Sequence, residues 1–200
     1  MNPEAATGIV LAGGRARRFG SDKLREDLDG SPLLHHAIER IGDVCASVVV
    51  VVAPGALPPP MPDGITVRVV RDEIGGEGPL RGAAAGLASA ATEWAVLAGG
   101  DMPDLQPAVL TALLRFASDR GASAAALGDG GRFRPLPCVV RTAPAAETAE
   151  RLLRHGERSL RSFLSSLSVA VLEEASWRRL DPEGRTLRDV DQPSDLDDRG

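Results

Sequence analysis

The chain has few cysteines and lacks any run of apolar residues long enough to cross a membrane. Its two cysteines, Cys45 and Cys138, lie far apart and form no metal-binding motif. This spacing argues against a disulfide framework and favours a reducing compartment, with both thiols buried as small apolar groups. Residues 1–7 lack the basic and apolar regions of a signal peptide, and no run reaches the roughly 20 apolar residues of a membrane helix. We therefore expect a cytoplasmic protein without a membrane partner.

The chain also has few aromatic residues and no excess of positive charge. Aromatics make up 3% of its 200 residues and tyrosine is absent, so valine, leucine and alanine must fill the core. The net charge of −5 argues against a general nucleic-acid binder, which is usually basic. The stretch Gly13–Lys23 is nevertheless locally basic, which indicates a small anionic ligand. The length suits a single domain, residues 1–200.

Short apolar runs alternate with helical patterns along the first two thirds of the chain. The predicted strands are 7–12, 47–53, 65–70, 94–98, 123–127, 136–141, 168–172 and 187–190. The predicted helices are 32–43, 83–91, 107–118, 144–153, 159–164 and 193–198. This alternation predicts an α/β fold of three layers, a Rossmann-like, open and mostly parallel sheet with helices on both faces. Such sheets bind ligands beyond the carboxyl ends of their strands.

The first predicted strand runs into a glycine-rich, cationic loop. Gly13 and Gly14 are followed within nine residues by Arg15, Arg17, Arg18 and Lys23. Glycine lets backbone N–H groups approach phosphate oxygens, and the cations neutralise phosphate charge. The spacing matches neither the P-loop nor the dinucleotide motif. A tight turn with solvated charges is the alternative, and at least one of the three arginines is expected on the surface.

Carboxylates follow two further predicted strands. Asp101 comes directly after a buried strand and before Met102-Pro103, where it would suit Mg²⁺; its alternative is a turn residue, while Asp104 is the better helix cap. Asp72 could contact a ribose, a base or a metal, or simply form a turn. Arg81 could contact a second anionic substrate, although a solvated arginine is the simpler interpretation. The acidic tail from Asp189 onwards is expected to be a solvated surface.

An ordered set of motifs resembles the molybdenum cofactor guanylyltransferases, the MobA family. The matching segments are Leu11–Lys23, Asp29–Leu34, Gly78–Gly82, Asp101–Pro103, Arg134–Pro137, Gly156–Arg161 and Asp189–Leu196. The first motif alone is shared by the wider nucleotidyltransferase superfamily, whereas the ordered set is much more specific. The resemblance covers nearly the whole chain and implies the nucleotidyltransferase fold.

The resemblance also implies a reaction and a set of site residues. In that reaction GTP and molybdenum-molybdopterin form the guanine dinucleotide cofactor and pyrophosphate, with Mg²⁺ required. The implied nucleotide-binding residues are Leu11, Ala12, Gly13, Gly14, Arg15, Lys23, Ala53, Asp72 and Asp101. The implied catalytic residues are Lys23, Asp101 and Arg18, and Asp101 is the implied metal ligand. Other proteins that make or accept the cofactor are further candidate partners.

One departure from the family pattern leaves the base preference open. The family often has asparagine after the second strand, where this chain has Ala53, so that contact is either missing or made by backbone. The alternatives are a cytidylyltransferase acting on the same cofactor, a sugar-phosphate nucleotidyltransferase, and a non-catalytic nucleotide-binding partner protein. We expect residues 1–105 to bind the nucleotide and residues 106–200 to bind the second substrate.

Overall fold

The centre of the structure is a twisted sheet. The computed structural model describes residues 6–13, 23–72, 78–192 and 194–197. Within these ranges the strands are β1 (Ala6–Ala12), β2 (Asp27–Leu28), β3 (Ser31–Pro32), β4 (Ser47–Val52), β5 (Val67–Arg71), β6 (Trp94–Gly99), β7 (Ala124–Asp129), β8 (Arg132–Arg141) and β9 (Val169–Leu172). Seven of these strands form one sheet in the order β5-β4-β1-β6-β8-β7-β9, while β2 and β3 form a separate hairpin.

Of the described strands in this sheet, only β8 runs against its neighbours. β1 pairs in parallel with β4 and with β6, and the pairs β4–β5 and β7–β9 are also parallel. β8 pairs antiparallel with both β6 and β7. The prediction of an open, mostly parallel sheet is confirmed. Parallel pairing brings the carboxyl ends of β1, β4, β5 and β6 to the same edge.

Helices cover both faces of the sheet. The described α-helices are α1 (Leu33–Gly42), α2 (Pro79–Ser89), α3 (Pro107–Asp119), α4 (Thr142–Arg154), α5 (Leu160–Ser165), α6 (Glu174–Trp177) and α7 (Ser194–Asp197). The five valines Val48–Val52 are buried, and alternate side chains enter two separate apolar clusters. One cluster contains α1 and α3, and the other contains α2, α4 and α5. A strand buried on both faces explains the unbroken valine run.

The segment predicted as a strand at residues 187–190 is not a strand. The chain forms a short 3-10 helix at Arg185–Leu187 and continues without regular structure. The Asp181 carboxylate accepts the N–H groups of Arg185 and Thr186, at 3.0 and 2.7 Å. The N–H of Val190 is bound to the carbonyl of Asp101. Within the segment itself, the N–H groups of Leu187 and Arg188 bind the carbonyls of Gly184 and Arg185, so the apolar pattern does not produce a strand here.

Two other predictions are corrected at helix starts. α2 begins at Pro79, four residues before the predicted start, because Gly78 adopts a φ of 88° and proline fits the first helical turn. Asp104 is not the cap of α3, whose N-cap is Gln106 without a side-chain cap bond.

The two cysteines are buried and free, as predicted. Burial raises the pKa of both the Cys45 and the Cys138 thiol to about 12, so each remains protonated and inert at neutral pH. Among the described helices, none combines the length and the hydropathy that a membrane crossing requires.

Candidate active site

Gly13, which directly follows β1, lies against the end of β4 at the carboxyl edge of the sheet. A Cβ placed on Gly13 would lie 3.4 Å from the backbone nitrogen of Ala53. Gly100, which follows β6, donates its N–H to the carbonyl of Leu11 at 3.0 Å. Leu11 and Ala12 are partly exposed and Gly13 is exposed. The structure therefore brings the predicted nucleotide-binding residues Leu11, Ala12, Gly13 and Ala53 together at one accessible edge.

Lys23 and Asp101 form an ion pair at the same edge. The Lys23 Nζ lies 2.9 Å from Asp101 Oδ2, although the residues are 78 positions apart. The Lys23 side chain is 11% exposed and that of Asp101 is 33% exposed. The carboxylate thus remains open to a ligand while the ammonium is largely shielded from water. A shielded ammonium beside an open carboxylate can neutralise a phosphate and still leave carboxylate oxygens for a cation.

Two glycines directly precede Asp101. A Cβ on Gly99 would collide with Asp101 Oδ1, and a Cβ on Gly100 would lie 2.9 Å from Cδ1 of Leu34. Glycine at position 99 therefore gives the Asp101 side chain room to lie back over its own strand, whereas glycine at position 100 gives room to Leu34.

A segment near the carboxyl terminus also borders the site. The N–H of Val190 donates to the Asp101 carbonyl at 2.9 Å, and Asp191 Oδ1 lies 3.9 Å from Lys23 Nζ. Partial burial raises the pKa of Asp189, and the charges of Asp191 and Asp101 raise it further. Asp189 and Asp191 are exposed, as the prediction of a solvated tail requires, and they also border the Lys23–Asp101 pair. The feature of the sequence that pointed to these residues is the resemblance of Asp189–Leu196 to a family motif.

Asp72 and Arg81 form a second pair near the carboxyl end of β4. Asp72 follows β5 and donates its N–H to the Val52 carbonyl at 3.0 Å. Arg81 Nε lies 3.9 Å from Asp72 Oδ1, and their side chains are 23% and 12% exposed, respectively. Arg81 is therefore not simply solvated. The pair links the first turn of α2 to the end of β5.

The turn between α4 and α5 supports the start of α2. Glu157 Oε1 accepts the N–H groups of Arg158 and Ser159, at 2.7 and 2.9 Å. The Arg158 carbonyl accepts the N–H of Leu80 at 3.3 Å, and a Cβ on Gly78 would lie 3.0 Å from the Arg158 Cβ. The motifs Gly78–Gly82 and Gly156–Arg161, separate in the sequence, are therefore in direct contact.

Three predicted site residues lie outside the described part of the chain. These residues are Gly14, Arg15 and Arg18. Their assignments stay predictions from the sequence.

The comparison with known families identifies the chain. A family described as the MobA-like NTP transferase domain matches residues 8–171. The chain belongs to this family. The match reaches every strand of the main sheet, leaving out only the first two residues of β1 and the last residue of β9, and it includes Gly13, Lys23, Asp72 and Asp101. The resemblance inferred from the motifs is confirmed.

Relatives of this MobA-like NTP transferase support the same assignment. A protein named "Probable molybdenum cofactor guanylyltransferase" from Chloroflexus aggregans is 34% identical over 95% of this chain and 91% of its own length. One of the same name from Mycolicibacterium paratuberculosis is 34% identical over 94% of this chain and 92% of its own.

Solved structures share the fold. Molybdopterin-guanine dinucleotide biosynthesis protein A from Archaeoglobus fulgidus superposes with a TM-score of 0.75 at 24% identity, covering 96% of this chain and 95% of its own. A 2-C-methyl-D-erythritol 4-phosphate cytidylyltransferase from Thermus thermophilus superposes with a TM-score of 0.69 at 19% identity, covering 94% of each chain. At these identities the neighbours establish the nucleotidyltransferase fold.

The carboxylates of this MobA-like NTP transferase fit a magnesium ion that is completed by a ligand. Among the described residues, no group of three or more histidine, cysteine or acidic side chains is arranged as a closed metal site. Mg²⁺ in nucleotide enzymes is usually held by one or two carboxylates together with water and substrate phosphates. Asp101 is accessible, and Asp189 and Asp191 border it. This donor set suits an ion that arrives with a nucleotide.

We expect Glu157→Gln to reduce stability at neutral pH. The N–H groups of Ser159 and Arg158 lower the pKa of Glu157, the first having the largest effect, so the ionised form is favoured by folding. Its contribution is present above the ordinary glutamate pKa of about 4.5 and is lost as the pH falls through the lower folded value. Melting temperatures of the wild type and the variant, measured from pH 8 to pH 3, should therefore converge in acid.

The matched control is Glu150→Gln, which removes a charge from an exposed position on α4. It should leave the melting temperature almost unchanged. Equal effects of the two substitutions, or a Glu157 effect independent of pH, would contradict the assignment.

Proposed function

We propose that this MobA-like NTP transferase transfers GMP from GTP to the terminal phosphate of molybdenum-molybdopterin. The products are the guanine dinucleotide form of the cofactor and pyrophosphate. The observation that carries the proposal is the Lys23–Asp101 pair beside the Leu11–Gly13 loop, in a chain similar to proteins named as molybdenum cofactor guanylyltransferases. Proteins that make or accept the cofactor are further candidate partners.

The glycine-containing edge suits the nucleotide. The exposed Gly13 backbone lies beside Ala53, so main-chain N–H and C=O groups can approach a base and a ribose without side-chain obstruction. Asp72, held near Arg81, can accept hydrogen bonds from the nucleoside. Lys23 can neutralise the triphosphate, and we assign Gly14, Arg15 and Arg18 to the same loop on the basis of the sequence motif.

The transfer needs charge neutralisation more than it needs a general base. An oxygen of the acceptor phosphate, already ionised at neutral pH, forms a bond to the α-phosphorus of GTP. The bond from that phosphorus to the β-phosphate oxygen breaks, and pyrophosphate leaves with the electron pair. Lys23 supplies positive charge where the phosphate groups meet, and the buried position of its ammonium strengthens this interaction.

Asp101 would hold the magnesium ion together with water and the substrate phosphates. When bound, Mg²⁺ stabilises negative charge on the phosphate oxygens and on the leaving pyrophosphate. The chain's own residues do the rest: Lys23 positions the phosphates, and the end of β1 with Gly13 positions the nucleoside.

A cytidylyltransferase activity is the second candidate. Ala53 stands where the family often has asparagine, so backbone alone borders the nucleotide there. Backbone groups can pair with either guanine or cytosine, and the base preference therefore needs a direct measurement.

A thermal-shift series tests the proposal. GTP, CTP, ATP and UTP are each added with and without Mg²⁺, and a ligand at a hundredfold excess over its Kd stabilises the folded state by about 2.7 kcal/mol. We expect GTP with Mg²⁺ to raise the melting temperature most. A shift selective for CTP would replace the guanylyl assignment by the cytidylyl one. No shift with any nucleotide would overturn both and favour a non-catalytic role.

A further inference from the structure

The hairpin formed by β7 and β8 extends past the end of β6. β8 pairs with β6 from Arg141 opposite Trp94 to Cys138 opposite Leu97, and no further pair of these strands follows in the described chain. The first residues of β8 pair only with β7, with Phe133 opposite Gly128. Because β8 is antiparallel, these residues lie at the carboxyl edge, which also holds Asp101. Residues 132–137, here called the arm, therefore lie at the carboxyl edge, and among the described strands they pair with β7 alone.

Phe133 and Arg161 form a stacked pair on this arm. The Arg161 guanidinium carbon lies 4.8 Å from the centre of the Phe133 ring. The ring is partly buried against the α2, α4 and α5 cluster, whereas Arg161 is exposed. A guanidinium that rests on a ring keeps its outer face and its N–H edge available to a ligand.

Within the described residues, Arg161 and Arg120, which stacks on Phe116, have no ion-pair partner, whereas two further stacked arginines do. Arg141, over Trp94, is paired with Glu93, and Arg178, over Trp177, lies 3.3 Å from Glu174. Within the described ranges, no carboxylate lies within ion-pair distance of Arg161. Its positive charge is therefore not neutralised by those parts of the protein.

Arg134 is the second cationic side chain to be considered on this arm. It follows Phe133 in β8, and its guanidinium lies 3.7 Å from Asp129 Oδ2. Because β8 runs antiparallel to β6, Arg134 lies at the carboxyl edge of the sheet, where β6 ends just before Asp101. Arg134 and the Asp101 site therefore share one edge of the sheet.

We propose that Phe133, Arg134 and Arg161 form the acceptor subsite, which takes a planar heteroaromatic ring bearing a phosphate. This inference rests on the proposed function. Three carboxylates, Asp101, Asp189 and Asp191, border the reaction centre and repel a second anionic substrate. Arg134 offsets that repulsion on the path of the acceptor phosphate. The ring of the acceptor stacks on the outer face of the Arg161 guanidinium. The Phe133 ring packs against the other face of that guanidinium.

The test is a steady-state analysis of transfer with molybdenum-molybdopterin and GTP varied independently. We expect Arg161→Gln and Arg134→Gln each to raise the KM for molybdenum-molybdopterin about tenfold, because each loses a charge-assisted contact. The KM for GTP should change less than about twofold. The acceptor KM of each variant should also rise less steeply with ionic strength than that of the wild type.

The matched control is Arg120→Gln. Arg120 lies 4.8 Å from the Phe116 ring, the same stacking distance, at the end of α3 and thus at the opposite edge of the sheet. Its loss should leave both KM values unchanged. Phe133→Leu adds a third variant, and it should weaken acceptor binding even where Arg161 is retained. Arg161 is exposed, so we expect Arg161→Gln to fold normally. The acceptor subsite can therefore still be tested with Arg161→Gln if Phe133→Leu fails to fold.

The outcomes separate the two proposals. If wild-type protein binds GTP and performs transfer, but Arg161→Gln and Arg134→Gln keep the wild-type acceptor KM, the acceptor subsite is wrong and the proposed function stands. If the wild type neither binds GTP nor releases pyrophosphate from it, the proposed function is wrong and the subsite falls with it.

Discussion

Asp101→Asn should lower the rate of pyrophosphate release by on the order of a thousandfold, while the protein still folds. The substitution keeps the size of the side chain but removes the charge that would hold Mg²⁺. It also removes the anionic partner of Lys23, whose Nζ lies 2.9 Å away. Folding should survive because the Asp101 carbonyl, which accepts the N–H of Val190, is backbone and remains. Single-turnover release of pyrophosphate at saturating GTP and Mg²⁺ measures the effect.

The control for this charge removal is Asp119→Asn, an exposed position at the end of α3. Its turnover should match that of the wild type. Turnover of Asp101→Asn within about tenfold of the wild type at saturating Mg²⁺ would exclude Asp101 as the metal ligand.

Lys23→Met should weaken GTP binding by about 10- to 100-fold, the range expected for loss of a charged hydrogen bond. Lys23 is the only lysine in the chain, and its ammonium is largely shielded from water. Methionine fills a similar volume but carries no charge. Asp101 and Asp191 would then lose the positive charge of the Lys23 ammonium, and their carboxylates would repel the triphosphate. Calorimetric titration with GTP and Mg²⁺ measures the change.

Arg40→Gln is the matched control for Lys23→Met, because Arg40 is exposed on α1. It should bind GTP with wild-type affinity. Unchanged affinity in Lys23→Met would remove this residue from the nucleotide site. In the double variant with Asp101→Asn, the effects should be less than additive, since the two side chains contact each other.

The strands and their two-sided burial could be predicted from local patterns. Val48–Val52 indicates a strand buried on both faces, and the apolar spacing from Leu33 to Ile41 predicts α1. Side chains alternate every two residues in a strand and return to the same face about every four residues in a helix. Both patterns can be recognised without knowledge of the fold. The same local reasoning failed at residues 187–190, because Asp181 and Asp101 supply hydrogen-bond acceptors that no local pattern reveals.

The sequence also indicated the edge at which the site lies. Gly13, Asp72 and Asp101 each follow a predicted strand, and the ends of parallel strands lie together. Motif order was enough to place the chain in its family. The sequence by itself thus determined the fold class, the family and most of the candidate residues.

Only the tertiary structure decided which of those residues meet. Lys23 lies 2.9 Å from Asp101, Arg81 lies near Asp72, and Gly78 packs on Arg158. It also placed Asp189 and Asp191, which were expected only as a solvated surface, next to the Lys23–Asp101 pair, and it stacked Arg161 on Phe133. These contacts join positions far apart in the chain. Their geometry depends on how loops return to the sheet edge, and hydrophobic periodicity carries no information about that path.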